Sequence, residues 1–200
     1  PVGALTNRDF RFKARVWDMA HTNTICNGCA RGCNIEVWTR NNEVLRLVPR
    51  HNEEVNSYWM CDHGRLNTFK FINAGDRVDG PHMRVEGNLI KVGWDEAFAK
   101  AASNLKAFGK DEIAVLGSAY ATVEDNFVAA KFAKSVLGTG HLDFARHIDP
   151  AFGDEILRNE DVTPNSKGAE LAGVAPSKNG FDFNGIVKAI REGKIKALYV

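Results

Sequence analysis

Three of the four cysteines in this chain lie within eight residues of one another, and this crowding constrains the fold more than any other feature. The spacing is Cys26-x2-Cys29-x3-Cys33, and Cys61 follows 27 residues later. Four cysteines in 200 residues are too few for a disulfide scaffold. Their clustering is typical of a metal site in a reducing compartment, so the sequence predicts a metal centre held by thiolates.

The spacing suits a cubane [4Fe–4S] cluster. Each of four irons needs one thiolate, and a short loop can bind three corners while a distant segment supplies the fourth. Gly28 and Gly32 let this loop turn sharply and bring amide N–H groups near the sulfides, and Arg31 offsets part of the negative charge. We predict that the residues that bind the cofactor and its metal are Cys26, Cys29, Cys33 and Cys61.

Two other uses of these cysteines stay open at this point. A structural zinc ion also takes four thiolates, but such sites commonly use two Cys-x2–4-Cys knuckles, and Cys61 has no cysteine near it. Two disulfides are geometrically awkward when three cysteines share one loop. The spacing therefore favours a cluster over both alternatives.

Charge and hydropathy narrow the classes of partner. The 26 basic and 25 acidic residues leave a net charge of +1, so no bulk field attracts nucleic acid or an anionic membrane. Apolar runs such as 113–116 are far shorter than the roughly 20 residues of a membrane span, and no leader sequence opens the chain. We expect a soluble chain without nucleic-acid binding or direct membrane insertion. Because it begins at Pro1 and ends in a strand-like run, we expect it to be cut at both ends.

The part of the chain before the breaker-rich stretch 75–81 is predicted to be rich in strands. Alternating basic and apolar residues over 8–22 predict a strand that leads into the cysteines. Residues 35–39 and 44–48 predict a hairpin, because the Asn-Asn pair between them tolerates the positive φ of a tight turn.

The part of the chain after residue 81 is predicted to alternate between strands and helices. Thr122 and Asp125 form a possible capping pair at the start of one helix. This alternation predicts a parallel α/β sheet. In order, we expect a hairpin at 83–85 and 89–92, a helix from Trp94, a strand at 113–116, a helix ending near 137, a strand at 141–144, a long connection at 153–180, a helix at 183–191 and a strand at 196–200.

Several of these stretches resemble a known family. The cysteine loop, Tyr-Trp-Met-Cys-Asp-His-Gly-Arg at 58–65 and Val-Gly-Trp-Asp-Glu-Ala at 92–97 resemble the iron–sulfur start of the molybdopterin oxidoreductase superfamily. Within it, the chain is most similar to the large iron–sulfur subunit (the G-type subunit) of bacterial NADH-quinone oxidoreductase, respiratory complex I. Residues 168–176 and 196–200 also resemble stretches of that subunit, and residues 1–6 resemble the segment after a cysteine ligand of an earlier cluster.

The resemblance implies a fold class and a domain order. The fold is α/β, with a small β-rich 4Fe-4S domain of the Mo/W bis-MGD type at 19–75. It is followed at 76–200 by the start of a parallel α/β domain like those of molybdopterin oxidoreductases. Residues 1–18 would be the tail end of a preceding ferredoxin-like iron–sulfur domain and a linker.

The resemblance also implies a function. The whole enzyme passes electrons from NADH through iron–sulfur clusters to a quinone and couples this to ion translocation, with NADH and quinone bound by other subunits. This chain would contribute one [4Fe–4S] cluster and no catalytic residue. In relatives with this four-cysteine set, the cluster lies away from the main electron route. The expected partners are other peripheral-arm subunits, and the expected location is the cytoplasmic face of the bacterial inner membrane.

The catalytic branch of the superfamily, the molybdenum or tungsten enzymes such as formate dehydrogenases, is the alternative. Those enzymes usually carry a lysine two residues after the fourth cluster cysteine, where this chain has His63. They also supply a cysteine, selenocysteine or serine to the metal in the region that matches residues 143–150, which contains none of these. We therefore do not expect molybdopterin in this chain.

Overall fold

The computed structural model describes residues 5–200 and divides into two compact units. The cysteine unit comprises the residues up to Gly75 together with Arg146–Pro164. The α/β unit comprises Asp76–Ala145 and Asn165–Val200. Residues 146–164, which the order of the sequence placed in the α/β region, therefore pack with the cysteine unit.

The cysteine unit is built on a three-stranded antiparallel sheet with the order β1-β2-β3. The cysteine loop connects β1 to β2, and the positive φ angles of Asn41 (52°) and Asn42 (61°) close the turn from β2 to β3. This confirms the predicted hairpin. The elements are β1 (Ala20–Ile25), β2 (Asn34–Arg40), β3 (Glu43–Pro49) and the short helix α1 (Asp62–Leu66).

The strand predicted at 8–22 is wrong for most of its length. Asn7 organises turns instead, because its side-chain oxygen accepts the Asp9 N–H at 2.8 Å and its carbonyl accepts the Arg11 N–H at 3.0 Å. Phe12 has a φ of +64°, which interrupts extended backbone. The strand begins only at Ala20. The resemblance of residues 1–6 to a segment after an earlier cluster ligand falls largely on residues 1–4, which lie outside the described residues.

The α/β unit contains a hairpin and a parallel sheet of three strands with the order β7-β6-β8. Thr122 and Asp125 form the predicted capping box of α3, with the Asp125 N–H donating to Thr122 Oγ1 at 3.1 Å. The elements are β4 (His82–Val85), β5 (Asn88–Lys91), α2 (Trp94–Lys106), β6 (Ile113–Ser118), α3 (Val123–Lys131) with a wider turn at Phe132–Leu137, β7 (Leu142–Ala145), α4 (Ser166–Leu171), α5 (Phe183–Arg191) and β8 (Ala197–Tyr199).

The central strand β6 is buried on both faces. Val115 belongs to one apolar cluster with residues of α3, β7 and α4, whereas its neighbour Ala114 belongs to a second cluster with Ile186 and Ala189 of α5. Alternate side chains of a strand point to opposite faces, so helices cover both sides of the sheet. Together with the small antiparallel sheet of the cysteine unit, this arrangement confirms the predicted fold class.

Helix α4 was missed by the sequence analysis, which placed residues 153–180 in one long connection. The helix has only six residues, and Gly168 lies within it. Such a segment gives almost no periodic signal, and Gly168 and Ala169 become buried only when the sheet is present. No helix among residues 5–200 is long and apolar enough to cross a membrane.

We expect Leu142→Ala to destabilise the protein by about 2–5 kcal/mol, because the Leu142 side chain is fully buried and its removal leaves a cavity. Denaturant unfolding followed by circular dichroism measures this loss. Leu171→Ala is the matched control, because Leu171 lies in the same unit but is 76% exposed. Equal effects of the two changes would contradict the assigned core.

Candidate iron–sulfur site

The three clustered cysteines lie in a loop that is closed at its base. The Cys26 N–H donates to the Cys33 carbonyl at 2.8 Å, and this bond joins the end of β1 to the start of β2. Within the loop, the Gly32 N–H donates to the Cys29 carbonyl at 3.4 Å, and Gly32 has a φ of +68°. The sequence thus folds locally so that one short loop presents three thiols.

The fourth cysteine, Cys61, lies immediately before α1. Its backbone is extended, and its sulfur accepts a hydrogen bond from the Gly64 N–H at 3.3 Å. In the cysteine loop, Cys26 Sγ accepts the Gly28 N–H at 3.4 Å. Hydrogen bonds of this kind stabilise a thiolate, and they tune the electronic properties of a metal bound to it.

Two glycines make room where the two cysteine segments meet. A Cβ added to Gly64 would lie 3.0 Å from Cys26 Sγ and 3.6 Å from Cys61 Sγ. A Cβ added to Gly28 would lie 3.4 Å from Cys26 Sγ and 3.3 Å from the His63 ring. The structure thus brings sulfurs of both segments together over bare backbone, as a bulky cofactor requires.

The thiols do not converge on a single point. Among residues 5–200, no three His, Cys, Asp or Glu side chains are placed to hold one metal ion. A zinc ion needs every sulfur about 2.3 Å from the same centre. A cubane offers four separate irons, each of which needs one thiolate. Four thiols from two segments match the four irons of a cubane in number. All four cysteines are free thiols, without a disulfide.

The thiols are in an environment that opposes negative charge. The pKa of Cys26 is raised to about 11, mainly by burial and also by the neighbouring cysteines, whereas the hydrogen bond from the Gly28 N–H lowers it. Burial also raises the pKa of Cys33, as do Cys29 and Cys61, whereas Arg31 lowers it. Deprotonation of Cys26 and Cys33 is therefore favoured when a cation compensates the charge, and metal binding releases their protons.

One buried amide links the two cysteine segments. Asn56 is only 4% exposed, its Oδ1 accepts the Asn34 N–H at 2.9 Å, and its Nδ2 donates to the Trp59 carbonyl at 2.9 Å. Asn34 follows Cys33 directly, and Trp59 lies two residues before Cys61. Sequence analysis missed this residue, because a polar residue in a turn-rich stretch gives no sign of burial.

Residues 146–164 add a third segment to the site. The Ala30 N–H, inside the cysteine loop, donates to the Asp161 carbonyl at 2.8 Å. The Phe152 ring meets the His63 ring edge to face, with centroids 5.0 Å apart. Sequence analysis gave these residues no role at the cluster, because the partners are distant in sequence and no motif connects them.

Comparison with known protein families gives matches to two parts of the chain. Residues 19–68 match the model of the 4Fe-4S domain described as NADH-ubiquinone oxidoreductase NDSU1/NuoG-like. Residues 77–168 match the molybdopterin oxidoreductase family. The first match covers all four cysteines and the sheet β1-β2-β3, and the second covers most of the α/β unit.

Curated relatives match this chain over most of its length. The G subunit of NADH-quinone oxidoreductase from Streptomyces coelicolor is 33% identical over 90% of the chain, and that from Rickettsia prowazekii is 30% identical over its whole length. Subunit 3 of NADH-quinone oxidoreductase from Thermus thermophilus is 40% identical over 72% of the chain. The chain belongs to the NuoG-like family of NADH-quinone oxidoreductase subunits. It spans 18–30% of the length of these relatives.

Membership of the NuoG-like family confirms the resemblance inferred from the sequence, and the 4Fe-4S domain match confirms the type of cofactor. The match covers a domain rather than individual ligands. The assignment of Cys26, Cys29, Cys33 and Cys61 as the ligands therefore stays a prediction, which the geometry described above supports.

We expect Asn56→Ala to destabilise the metal-free protein by about 1–3 kcal/mol, because the change removes a buried side chain and leaves partly buried backbone groups without their partner. Iron loading should fall as well, since both cysteine segments lose their common anchor. Asn67→Ala is the control, because Asn67 is an exposed asparagine just after α1. The anchoring role is excluded if both variants keep wild-type stability and iron content.

The metal-free protein should lose stability as the pH rises from about 9 to about 11. The folded state holds the proton of Cys26 more tightly than the unfolded chain does, so the stabilisation is complete below pH 9 and disappears as the pH passes about 11. The loss should be roughly 1–3 kcal/mol, measured by urea unfolding with reductant and chelator present. Cys26→Ala should show a smaller loss over the same range, and equal losses would disprove this effect.

Proposed function

We propose that this chain is part of an iron–sulfur subunit of NADH-quinone oxidoreductase and carries one [4Fe–4S] cluster in the electron-transfer apparatus of that enzyme. One observation supports this proposal above all. The sulfurs of Cys26 and Cys61, from two distant segments, approach each other over Gly64, inside residues that match a NuoG-like 4Fe-4S domain.

Different residues of the cysteine unit would bind the cofactor and stabilise it. Cys26, Cys29, Cys33 and Cys61 would bind the irons, and the bound cluster supplies one-electron oxidation and reduction. The backbone N–H groups of Gly28 and Gly64 donate to sulfur and favour the thiolate form. Cys26, Cys29 and Cys33 are buried, and Cys26 and Cys33 belong to the apolar cluster of the sheet, which limits the access of water to them.

The rest of the enzyme would supply what this chain lacks. The relatives are named subunits of NADH-quinone oxidoreductase, so we place this chain among other peripheral-arm subunits that bind NADH and quinone. The reaction coupled to electron transfer would be ion translocation. In this proposal the chain is attached peripherally, at the cytoplasmic face of the bacterial inner membrane. No residue of this chain is assigned a catalytic role.

The two alternative functions have less support. A molybdenum or tungsten enzyme would need a metal ligand near residues 143–150, where the sequence offers no cysteine or serine, and it usually has lysine where His63 stands. A structural zinc ion would need its four donors around one centre, and no such group occurs among residues 5–200. The named relatives are NADH-quinone oxidoreductase subunits, which favours electron transfer.

The decisive experiment is anaerobic iron, sulfide and zinc analysis of the protein, with EPR after reduction by dithionite. Cys29→Ala should lose about four irons and four sulfides per chain relative to wild type, together with one cubane signal. The exposed Ser103→Ala on α2 serves as the control and should retain both.

Two results would count against the proposal. One zinc and no sulfide at the cysteines, even after anaerobic reconstitution, would make the cysteine unit a structural zinc module. A well-folded Cys29→Ala protein with its full iron and sulfide content would remove Cys29 from the ligand set.

A further inference from the structure

We propose that residues 146–164 form a cover over the cluster loop and that Arg158 of this cover provides a fixed positive charge that stabilises the reduced cluster. The inference rests on the proposed function, because it requires a cluster at the four cysteines. It assigns a role in setting the reduction potential to a residue outside the cysteine motif.

The cover is a closed loop with a paired base. The Asp149 N–H donates to the Glu160 carbonyl at 2.8 Å, and the Val162 N–H donates to the His147 carbonyl at 2.9 Å. Ile148 and Asp161 form an antiparallel bridge between these two bonds. The Asp161 carbonyl at this base also accepts the Ala30 N–H. The base of the cover is therefore joined by a hydrogen bond to the residue that follows Cys29.

A chain of packed side chains leads from Arg158 to the cysteine segments. The Arg158 guanidinium carbon lies 5.1 Å from the centroid of the Phe152 ring, and Phe152 packs against His63. His63 lies two residues after Cys61. Its ring also approaches Gly28, between Cys26 and Cys29. The cover thus reaches both segments that carry the thiols.

Asp154 fixes the guanidinium in place. Its Oδ1 accepts backbone N–H groups from Ile156 at 2.9 Å, Leu157 at 2.5 Å and Arg158 at 3.0 Å. Its Oδ2 accepts Arg158 Nε at 2.8 Å. The hydrogen bond from the Leu157 N–H is the main reason that the pKa of Asp154 lies well below its ordinary value. The carboxylate therefore stays ionised, and Arg158 stays oriented, over the working pH range.

The charge of Arg158 acts on the cysteines of both segments. Its pKa is raised chiefly by the hydrogen bond to Asp154, is lowered by burial, and is raised to a smaller extent by the charge of Asp154 and then by attraction to the charged forms of Cys61 and Cys29. That attraction favours added negative charge at the site. Reduction of a cluster adds one electron, so a nearby cation raises the reduction potential.

Two other arginines near the cysteines are held by different partners. Arg31 donates through Nε and Nη2 to the Val55 carbonyl at 3.2 and 3.0 Å. Arg65 is paired with the exposed Asp62. Arg158 differs from both because it packs on Phe152 of the cover, and Phe152 in turn packs on His63.

The test is a potentiometric EPR titration of the cluster in the full-length protein, with Cys29→Ala used to identify its signal. Arg158→Gln should lower the midpoint potential, so that at a fixed applied potential the ratio of reduced to oxidised cluster falls about threefold to tenfold. Arg158→Lys keeps the charge and should restore most of the wild-type potential. Arg40→Gln is the control, because Arg40 is an arginine of the same unit that pairs with Asp18 at the sheet.

Iron and sulfide analysis distinguishes failure of the proposed function from failure of this inference. A wild-type protein without a cubane overturns the proposed function, whereas a loaded Arg158→Gln protein with an unchanged potential overturns only this inference. A shift in Arg158→Lys as large as that in Arg158→Gln also overturns it. If Arg158→Gln fails to load, Arg158→Met decides, because it keeps an unbranched side chain without the charge and should also lower the potential. An unchanged or raised potential in a loaded Arg158→Met protein rejects the role of charge.

Discussion

The cysteine unit depends on one constraint, which is that thiols in a largely buried loop must lose their protons to bind metal, although burial raises the pKa of Cys26 and of Cys33. Three of them are buried, and Cys26 and Cys33 belong to the same apolar cluster as Ile35, Val44 and Leu47. A sheet of three short strands buries little apolar surface, so a metal centre bound at these cysteines would add to the folding free energy of the unit. The cysteine sulfurs of this unit are thus both candidate metal ligands and part of its apolar core.

Much of the fold could be predicted from local sequence. The Asn41-Asn42 turn, the capping box at Thr122 and the buried run at 113–116 each specify an element through their own residues, and all three appear in the structure. The strand predicted at 8–22 does not form over most of that range, because Asn7, just before it, organises turns through its hydrogen bonds. Helix α4 was not predicted because it has only six residues, one of them glycine, and because Ala169 is buried against residues of β6, α3 and β7 that are distant in sequence.

In the candidate site, too, some residues could be predicted from local sequence and others could not. Cysteine spacing alone singled out the four thiols, because the chemistry of a cubane restricts which residues can hold it. The sequence could not reveal Asn56, whose partners Asn34 and Trp59 flank the thiols in space. Nor could it reveal residues 146–164, which return to the cysteine unit after the chain has passed through much of the α/β unit. The fold brings supporting residues of this kind to the site, and no sequence motif identifies them.

The return of residues 146–164 to the cysteine unit has a consequence for the order of events during synthesis. The cysteine loop and α1 leave the ribosome early, yet Asp161, which bonds to Ala30, follows only after β6, α3 and β7 have been made. Until then the nascent loop is open on the side that the cover later occupies. The hydrogen bond between Ala30 and Asp161 can therefore form only late in synthesis, after β6, α3 and β7 have been made.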